Sequence, residues 1–356
     1  MNWAEQRARF PVLDRFAYLN AGTFGPLART TLAGMAELRA WEGEHGRGGK
    51  AYFEAMIERR ERVRGLFAAQ VGASADNVAL TDSTTQGVHV VVTGLGLADG
   101  DEVATTDAEH FGLTGPLLGS GARLRIARVR GARAADVFEL IREQVTPRTR
   151  LIAISAVSWI DGAVFPWREL REATNIPVLV DGAQSVGALD VDVTAADFYT
   201  VSAQKWLCGP DSTGALYVRE PEALRPRLVA YPSAESYDIA EGTWAPKAGA
   251  RRFDTAFTPA TSLADLPEGR FERARELADR CRDRLLEQGH DVVTEPGQGT
   301  LVSFRWSGDT AEAAAALYEH GVVLRELPGT GLLRVSVGWW NDDDDLDRLV
   351  EGLAAL

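Results

Sequence analysis

The chain has 356 residues, of which 45% are hydrophobic and 25% charged, a composition typical of globular proteins and not of disordered or disulfide-stapled ones. Its formal net charge of −13 disfavours a nucleic-acid-binding surface, because phosphate contacts need a cationic footprint. The two cysteines cannot form a disulfide framework, the N-terminal residues lack a signal-peptide pattern, and no apolar stretch approaches the roughly 18 residues of a membrane span. We therefore expect a cytoplasmic protein with no membrane segment.

Residues 77–218 alternate short apolar runs with helical patterns, which is typical of parallel strands joined by crossover helices. The predicted strands are Val78–Thr81, Glu102–Thr106, Arg123–Val129, Arg150–Ser155, Pro177–Asp181, Asp197–Val201 and Gly214–Val218. The predicted helices between them are Thr85–Leu97, Phe111–Gly119, Ala134–Val145 and Trp167–Thr174. Several of these strands are apolar at every position, which indicates an open α/β sheet covered by helices on both faces.

The pattern after Arg251 predicts a second, smaller α/β domain. Its predicted helices are Glu268–Gln288, Thr310–His320 and a final helix, and its predicted strands lie near His290–Thr294, Leu301–Trp306, Val322–Glu326 and Leu332–Val337. Glycine- and proline-bearing sequence at Tyr231–Ala250 marks the passage between the domains. We assign residues 15–250 to a large domain, and residues 1–14 and 251–356 to a small one.

Two charged stretches are interpreted as structural. Asp342–Asp345 is acidic enough to suggest a metal site, but Asn341 or Asp342 can cap the final helix, whose positive end suits an acidic first turn. The alternation of arginine and glutamate through Glu58–Arg64 predicts a solvated helix face that carries Arg59, Arg60, Arg62 and Arg64. We therefore predict no metal ligand in this chain.

The most informative residues are an aspartate and a lysine at the ends of two predicted strands. Asp181 closes a buried strand, at the sheet edge where ligands bind in open α/β folds. Lys205 lies just beyond another strand and beside Trp206, where desolvation favours the neutral, nucleophilic amine. Taken singly, Asp181 could instead cap a helix and Lys205 could be an exposed loop lysine.

Together with Tyr18–Pro26 and Leu332–Asn341, these segments resemble the class V aminotransferase and cysteine desulfurase family, and most of all its isopenicillin N epimerase and cysteine C–S lyase branch. The specific motifs are DGAQ from Asp181 and SxxK ending at Lys205, followed by Gly-Pro. The resemblance implies the fold-type I architecture, with a large, mostly parallel sheet domain and a smaller C-terminal α/β domain. It also implies dependence on pyridoxal 5′-phosphate (PLP).

The resemblance assigns cofactor contacts to several residues. Lys205 forms the internal aldimine, Asp181 pairs with the pyridine nitrogen, and Gln184 contacts the phenolic oxygen of the ring. An aspartate and a lysine suit these tasks, because the carboxylate favours the protonated ring nitrogen and the amine can form an imine and move protons. His110 stacks on the ring, although an isolated histidine is more often a structural residue. Gln204 stands where the desulfurase branch usually has histidine, which alters that contact.

The cofactor phosphate is assigned to the segment between the first predicted sheet strand and its helix. Ser83, Thr84 and Thr85 offer hydroxyls and backbone N–H groups there, and Ser202 adds a further hydroxyl. An ordinary helix cap is the alternative for such a segment. By the same resemblance, Thr258 reaches the phosphate of the partner subunit, which implies a homodimer with sites at the subunit interface.

The substrate is expected to be a small-molecule amino acid. Arg334 lies in an otherwise apolar strand, where an unpaired guanidinium is costly to bury, so a carboxylate partner is expected. The resemblance identifies that partner as the α-carboxylate of the substrate, held bidentately. Asn20 and Gly22 resemble positions that lie over the substrate.

One departure from the family limits the reaction type. Desulfurases carry a mobile cysteine loop where this chain has Val323–Leu333, and this segment contains no cysteine. Cys208 follows Lys205 by three residues and is interpreted as structural, as is Cys281 in the long charged helix. The leading hypothesis is an enzyme acting at Cα or Cβ through the external aldimine, as an aminotransferase or a β-eliminating C–S lyase without persulfide chemistry. Cysteine desulfurase, amino-acid epimerase and a non-catalytic dimeric binding protein stay open as alternatives.

Overall fold

The computed structural model describes residues 2–255 and 266–356. The α-helices are α1 (Trp3–Arg7), α2 (Arg29–His45), α3 (Gly49–Gln70), α4 (Thr84–Leu95), α5 (Phe111–Gly119), α6 (Val137–Arg142), α7 (Trp167–Thr174), α8 (Arg270–Glu287), α9 (Thr310–Glu319) and α10 (Asp343–Ala354). The strands are β1 (Ala17–Tyr18), β2 (Val78–Thr81), β3 (Glu102–Thr106), β4 (Arg123–Ala127), β5 (Thr149–Ser155), β6 (Val178–Asp181), β7 (Phe198–Ser202), β8 (Gly214–Val218), β9 (Ala234–Asp238), β10 (Thr243–Pro246), β11 (Leu301–Arg305), β12 (Val322–Val323), β13 (Arg325–Leu327) and β14 (Leu332–Ser336). Within the described ranges, none of these helices combines the length and the apolar character needed to cross a bilayer.

The large sheet has the strand order β2-β8-β7-β6-β5-β3-β4. Strand β8 runs antiparallel to both of its neighbours, and the other pairs are parallel. Successive residues of a strand point to opposite faces, so Ile152 and Ile154 pack in one hydrophobic core while Leu151 and Ala153 pack in the other. The predicted α/β fold, with a mostly parallel sheet covered on both faces, is confirmed.

Most predicted elements match the structure, and the two mismatched strands are explained by how their residues pair in the tertiary structure. The predicted strand near His290–Thr294 is wrong, because Val292 makes only an isolated bridge to Phe304. The predicted strand Val322–Glu326 is divided into two, since β12 pairs with β1 whereas β13 pairs with β14. The predicted helix Ala134–Val145 contains a 3₁₀ turn followed by the shorter α6.

A second sheet in the order β11-β14-β13 packs with α8, α9 and α10 around its own core. Strand β1 pairs in parallel with β12, and Ala17 and Leu19 belong to this core, although the predicted boundary places them in the large domain. The division into two domains stays a prediction. The helix-capping interpretation of Asp342 is confirmed, because its Oδ1 accepts a hydrogen bond from the Asp345 N–H at 3.2 Å.

The predicted solvated arginine face is wrong for Arg60 and Arg64, which are both buried. Asp254 Oδ2 accepts hydrogen bonds from Arg60 Nη2 at 2.9 Å and from Arg64 Nη2 at 2.7 Å. Arg64 Nη1 also donates to the carbonyl of Val78 at 2.7 Å, which joins α3 to β2. The partner carboxylate lies about half the chain away in sequence, so the local charge pattern could not identify it.

Candidate active site

A cavity of about 270 Å³ lies at the carboxyl ends of the parallel strands. The register of the sheet places Ser155 beside Asp181 and Asp181 beside Thr200 at this edge. The predicted site residues that line the cavity are Gly22, Ser83, Thr84, Thr85, His110, Asp181, Gln184, Ser202, Gln204, Lys205 and Arg334. Thr258 lies outside the described residues.

Asp181 presents one unoccupied carboxylate oxygen. It is the last residue of β6 and is buried. Its Oδ1 accepts hydrogen bonds from the Ala183 N–H at 3.0 Å and from Thr200 Oγ1 at 3.3 Å. Its Oδ2 has no hydrogen-bond partner in the part of the chain that the structure describes. That oxygen is therefore available to a cationic group of a ligand.

Lys205 lies just beyond β7, half-buried in the cavity wall. Its Nζ has neither an ion pair nor a hydrogen bond with any described residue. Burial lowers the pKa of Lys205 to about 8, the charge of Asp181 opposes this change, and the charge of Arg334 reinforces it. A large share of the amine is therefore neutral near physiological pH, which is the form that attacks a carbonyl group.

The backbone around Lys205 is held by the N-terminal turn. The Gly25 N–H donates to the Gln204 carbonyl at 2.7 Å. A Cβ atom at Gly25 would lie 1.9 Å from the Lys205 carbonyl oxygen, so this position requires glycine. The side chains of Ser202 and Gln204 are joined to each other, because Ser202 Oγ donates to Gln204 Oε1 at 2.7 Å.

The N-terminus of α4 faces the cavity and provides free donors. Ser83 is the N-cap residue, and its Oγ accepts a hydrogen bond from the Gln86 N–H at 3.2 Å and donates to Asp82 Oδ1 at 2.7 Å. The backbone N–H groups of Thr84 and Thr85 belong to the first turn and have no intrahelical acceptor. Together with the positive end of the helix dipole, these N–H groups make this wall of the cavity favourable for an anion.

Gln184 fixes the N-terminal turn to the large sheet. Its Nε2 donates to the Gly22 carbonyl at 2.8 Å, and its Oε1 accepts a hydrogen bond from Trp206 Nε1 at 3.0 Å. One N–H of the amide is left over for a ligand, because the amide nitrogen carries two hydrogens. The predicted contact of Gln184 with the cofactor stays a prediction.

The ring of His110 is oriented by its own helix. It caps the N-terminus of α5, and its Nδ1 accepts a hydrogen bond from the Gly112 N–H at 3.0 Å, which places the proton of the neutral ring on Nε2. Desolvation and the charge of Lys205 lower the pKa of His110. The ring lies edge-on to Trp159, with centroids 5.4 Å apart.

Arg334 is a buried guanidinium without a carboxylate partner among the described residues. Its Nη1 donates to the Trp159 carbonyl at 2.8 Å and its Nη2 to Thr23 Oγ1 at 3.3 Å, while its Nε has no acceptor. Burial lowers the pKa of Arg334 to about 10, and the charge of Arg325 acts in the same direction. A Cβ atom at Gly22 would lie 2.9 Å from Arg334 Nη2, so a side chain at position 22 would collide with the Arg334 guanidinium. An unpaired buried charge indicates an anion-binding site.

Asn20 does not line the cavity but shapes the turn above it. Its carbonyl accepts hydrogen bonds from the N–H groups of Thr23 at 3.0 Å and Phe24 at 3.1 Å, and Thr23 and Phe24 line the cavity instead. The predicted substrate contact of Asn20 stays a prediction.

Several lining residues were missed by the sequence analysis. They are Thr23, Phe24, Ser155, Val157, Trp159, Ala183, Arg325 and Leu327. The residues from Ser155 to Trp159 end or follow β5, so the strand-end rule that identified Asp181 could have found them. Glu109 directly precedes His110 in the chain. It is buried and accepts hydrogen bonds from Thr106 Oγ1 at 2.7 Å and from the Ser155 N–H at 2.9 Å, and burial raises its pKa to about 7.

The free groups of the cavity fit PLP in their chemistry. PLP has an aldehyde, a ring nitrogen that can be protonated, and a phosphate. Lys205 offers an amine for the aldehyde, Asp181 a carboxylate oxygen for the ring nitrogen, and the first turn of α4 donors for the phosphate.

Comparison with known proteins places the chain in a family. A family model described as aminotransferase class-V matches residues 17–349. The chain belongs to the class V aminotransferase family. Members of this family are PLP-dependent enzymes, and the predicted cofactor and enzyme class are confirmed.

Curated relatives and solved structures cover nearly the whole chain. It is 27% identical to isopenicillin N epimerase of Streptomyces clavuligerus, over 100% of this chain and 98% of that protein. It is also 27% identical to the cysteine desulfurase CsdA of Escherichia coli (strain K12), over 99% and 97%. The cystine C–S lyase C-DES, solved in complex with its product cysteine persulfide, has a TM-score of 0.88 at 24% identity, over 97% of this chain and 99% of that one. The latter similarity shows a shared fold.

Proposed function

We propose that this protein acts on an amino acid at Cα or Cβ, as an aminotransferase or as a β-eliminating C–S lyase that uses no persulfide. The observation that carries this proposal is that Lys205 Nζ and Asp181 Oδ2, neither of which has a partner among the described residues, belong to side chains that line the same cavity. When bound, PLP withdraws electrons from Cα of the attached amino acid, which makes the Cα proton or a substituent on Cβ labile.

Each residue then has a task that its environment supports. Asp181 holds the ring nitrogen in its protonated form, because a carboxylate beside it favours the cation. Lys205 would hold the cofactor through its aldehyde and would move the proton at Cα of the substrate, for which an amine with a pKa of about 8 is suited. The N–H groups of Thr84 and Thr85 hold the phosphate, and Arg334 holds the substrate carboxylate.

Persulfide chemistry needs an accessible thiolate, and the cysteines of this chain do not supply one. Cys208 and Cys281 are 0% and 1% exposed, and burial raises the pKa of both thiols, that of Cys281 to about 12. Strands β13 and β14 are joined by a tight turn at residues 328–331, in the segment where desulfurases have their cysteine loop. These features support a reaction without persulfide transfer.

A cytoplasmic homodimer with its sites at the subunit interface is part of this proposal. Phe111 and Leu118 on α5 are 73% and 60% exposed, and His110, the N-cap residue of α5, lines the cavity. Large apolar side chains exposed together favour an interaction surface. Two free cysteines suit a reducing compartment. Light scattering of the purified holoenzyme measures the oligomeric state, and a monomer would contradict the dimer.

The test is borohydride reduction of the purified holoenzyme followed by peptide mapping. We expect a pyridoxyl group on Lys205 and none on Lys50 or Lys247, the other lysines of the chain. A panel of amino acids then distinguishes the reactions: keto-acid release identifies an aminotransferase, pyruvate with ammonia identifies β-elimination, and a D-amino acid identifies an epimerase. Persulfide on either cysteine identifies a desulfurase. An adduct elsewhere, or no product from any amino acid, contradicts the proposal.

A further inference from the structure

Two arginines stand side by side on the wall of the active cavity. Arg325 on β13 and Arg334 on β14 are Cα partners of an antiparallel pair, and both line the cavity. Like charges directly opposite each other on a sheet destabilise it, because the side chains project from the same face at short range. The fold therefore accepts a repulsive pair at the place where substrate binds.

No protein carboxylate relieves this repulsion within the described residues. Arg325 has no hydrogen bond or ion pair there, and Arg334 donates only to the Trp159 carbonyl and to Thr23 Oγ1. Glu326 lies between Arg325 and Leu327, but successive residues of a strand point to opposite faces, and Glu326 does not line the cavity.

The other charged groups of the cavity already have partners when the proposed function holds. Asp181 takes the protonated ring nitrogen, the first turn of α4 takes the phosphate, and Arg334 takes the α-carboxylate of the substrate. Arg325, the exposed member of the arginine pair, has no counter-ion among the described residues. Val157, Trp159 and Leu327 give the cavity an apolar wall as well, which suits methylene groups.

We propose that the preferred substrate is an α-amino acid whose side chain ends in a carboxylate, and that Arg325 is the residue that binds this second carboxylate. The proposal rests on the proposed function, since it takes Arg334 for the α-carboxylate. Guanidinium–carboxylate hydrogen bonds are directional and strong, so Arg325 selects an acidic side chain over the amide of the same shape.

The experiment measures binding without turnover. Purified holoenzyme is titrated with 2-methylglutamate and with 2-methylglutamine, which lack a Cα proton, and with the corresponding aspartate and asparagine analogues. The change in the cofactor absorption band gives the dissociation constant. The analogues form two acid–amide pairs, one derived from glutamate and one from aspartate. In at least one pair, we expect the acid to bind about tenfold or more tightly than its amide, which is the scale of a charge-assisted hydrogen bond.

Variants assign this preference to Arg325. Arg325→Gln should lower the ratio between acid and amide to near one while leaving the affinity for the amide unchanged, and Arg325→Lys should keep part of it. Arg305→Gln is the matched control, because Arg305 lies in the same small sheet, pairs with Asp291 and does not line this cavity. Arg305→Gln removes the same charge as Arg325→Gln and should keep the full ratio of acid affinity to amide affinity.

The outcomes separate this proposal from the proposed function. Equal binding of acid and amide by the unaltered protein overturns the second-carboxylate site, as does an equal loss of both in Arg325→Gln. Release of PLP from Arg325→Gln shows that Arg325 serves the cofactor phosphate, which also overturns it. In all three cases a borohydride adduct on Lys205 still supports the proposed function. If neither that adduct nor any spectral change is observed, both the second-carboxylate site and the proposed function are contradicted.

Discussion

The lowered pKa of Lys205 yields a prediction that needs no substrate. Burial in the cavity wall brings this pKa to about 8, against about 10.4 for a solvated lysine. That difference corresponds to about 3 kcal/mol between the charged and neutral forms. At pH 8 about half of the Lys205 amines are therefore neutral, whereas a solvated lysine has about 0.4% in the neutral form.

The assay is competitive labelling of the apoprotein with trace acetic anhydride, from about pH 6 to about pH 11, read by mass spectrometry of tryptic peptides. Lys50 is the internal reference, because its side chain is 88% exposed. Labelling of Lys205 should reach half of its maximum near pH 8, well below the pKa of about 10.4 that is usual for a solvated lysine. Asp181→Asn should lower this midpoint and Arg334→Gln should raise it, because their charges act on Lys205 with opposite signs.

Stability provides an independent measurement of the same pKa. The folded value lies below the unfolded one, so the unfolded chain binds more protons between about pH 8 and about pH 10.4, and the free energy of unfolding rises with pH in that window. Lys205→Met should remove this rise in urea titrations of the apoprotein. Parallel labelling of Lys205 and Lys50 at every pH, or an unchanged pH dependence in Lys205→Met, would refute the reasoning.

Three further predictions concern the site. Asp181→Asn should retain the fold and bound PLP but lose about 3 kcal/mol or more of transition-state stabilisation, seen as a fall of at least about a hundredfold in kcat; near-normal turnover of a loaded variant would show that its charge is dispensable. Arg334→Lys should raise KM much more than it weakens PLP binding, because lysine lacks the planar fork, and an unchanged KM for every accepted amino acid would contradict its role. Cys208→Ala combined with Cys281→Ala should keep most of the activity, and cysteine should leave no persulfide detectable by mass spectrometry; loss of activity together with a persulfide on the unaltered protein would restore the desulfurase alternative.

The sequence determined the helices and strands that depend on local interactions or on periodic residue patterns. Strands β2 and β3 and helices α5 and α7 have the predicted bounds. Continuous apolar runs indicate strands that are buried on both faces of the sheet, and helical patterns indicate the helices that cover those faces. The strand-end rule and the motif spacing likewise identified Asp181 and Lys205, since parallel strands bring their carboxyl ends to one edge whatever the intervening loops do.

Only the tertiary structure decided which side chains lack a partner. Charge spacing predicted a solvated position for Arg64, but a carboxylate far along the chain, Asp254, lies within 2.7 Å of it. The opposite holds for Arg325, whose neighbour in sequence, Glu326, points away while Arg334 lies beside it across the sheet. Electrostatic interactions depend on distance and burial in three dimensions, whereas sequence order fixes only neighbours along the chain, so the cationic wall of the cavity becomes visible only once the strands are paired.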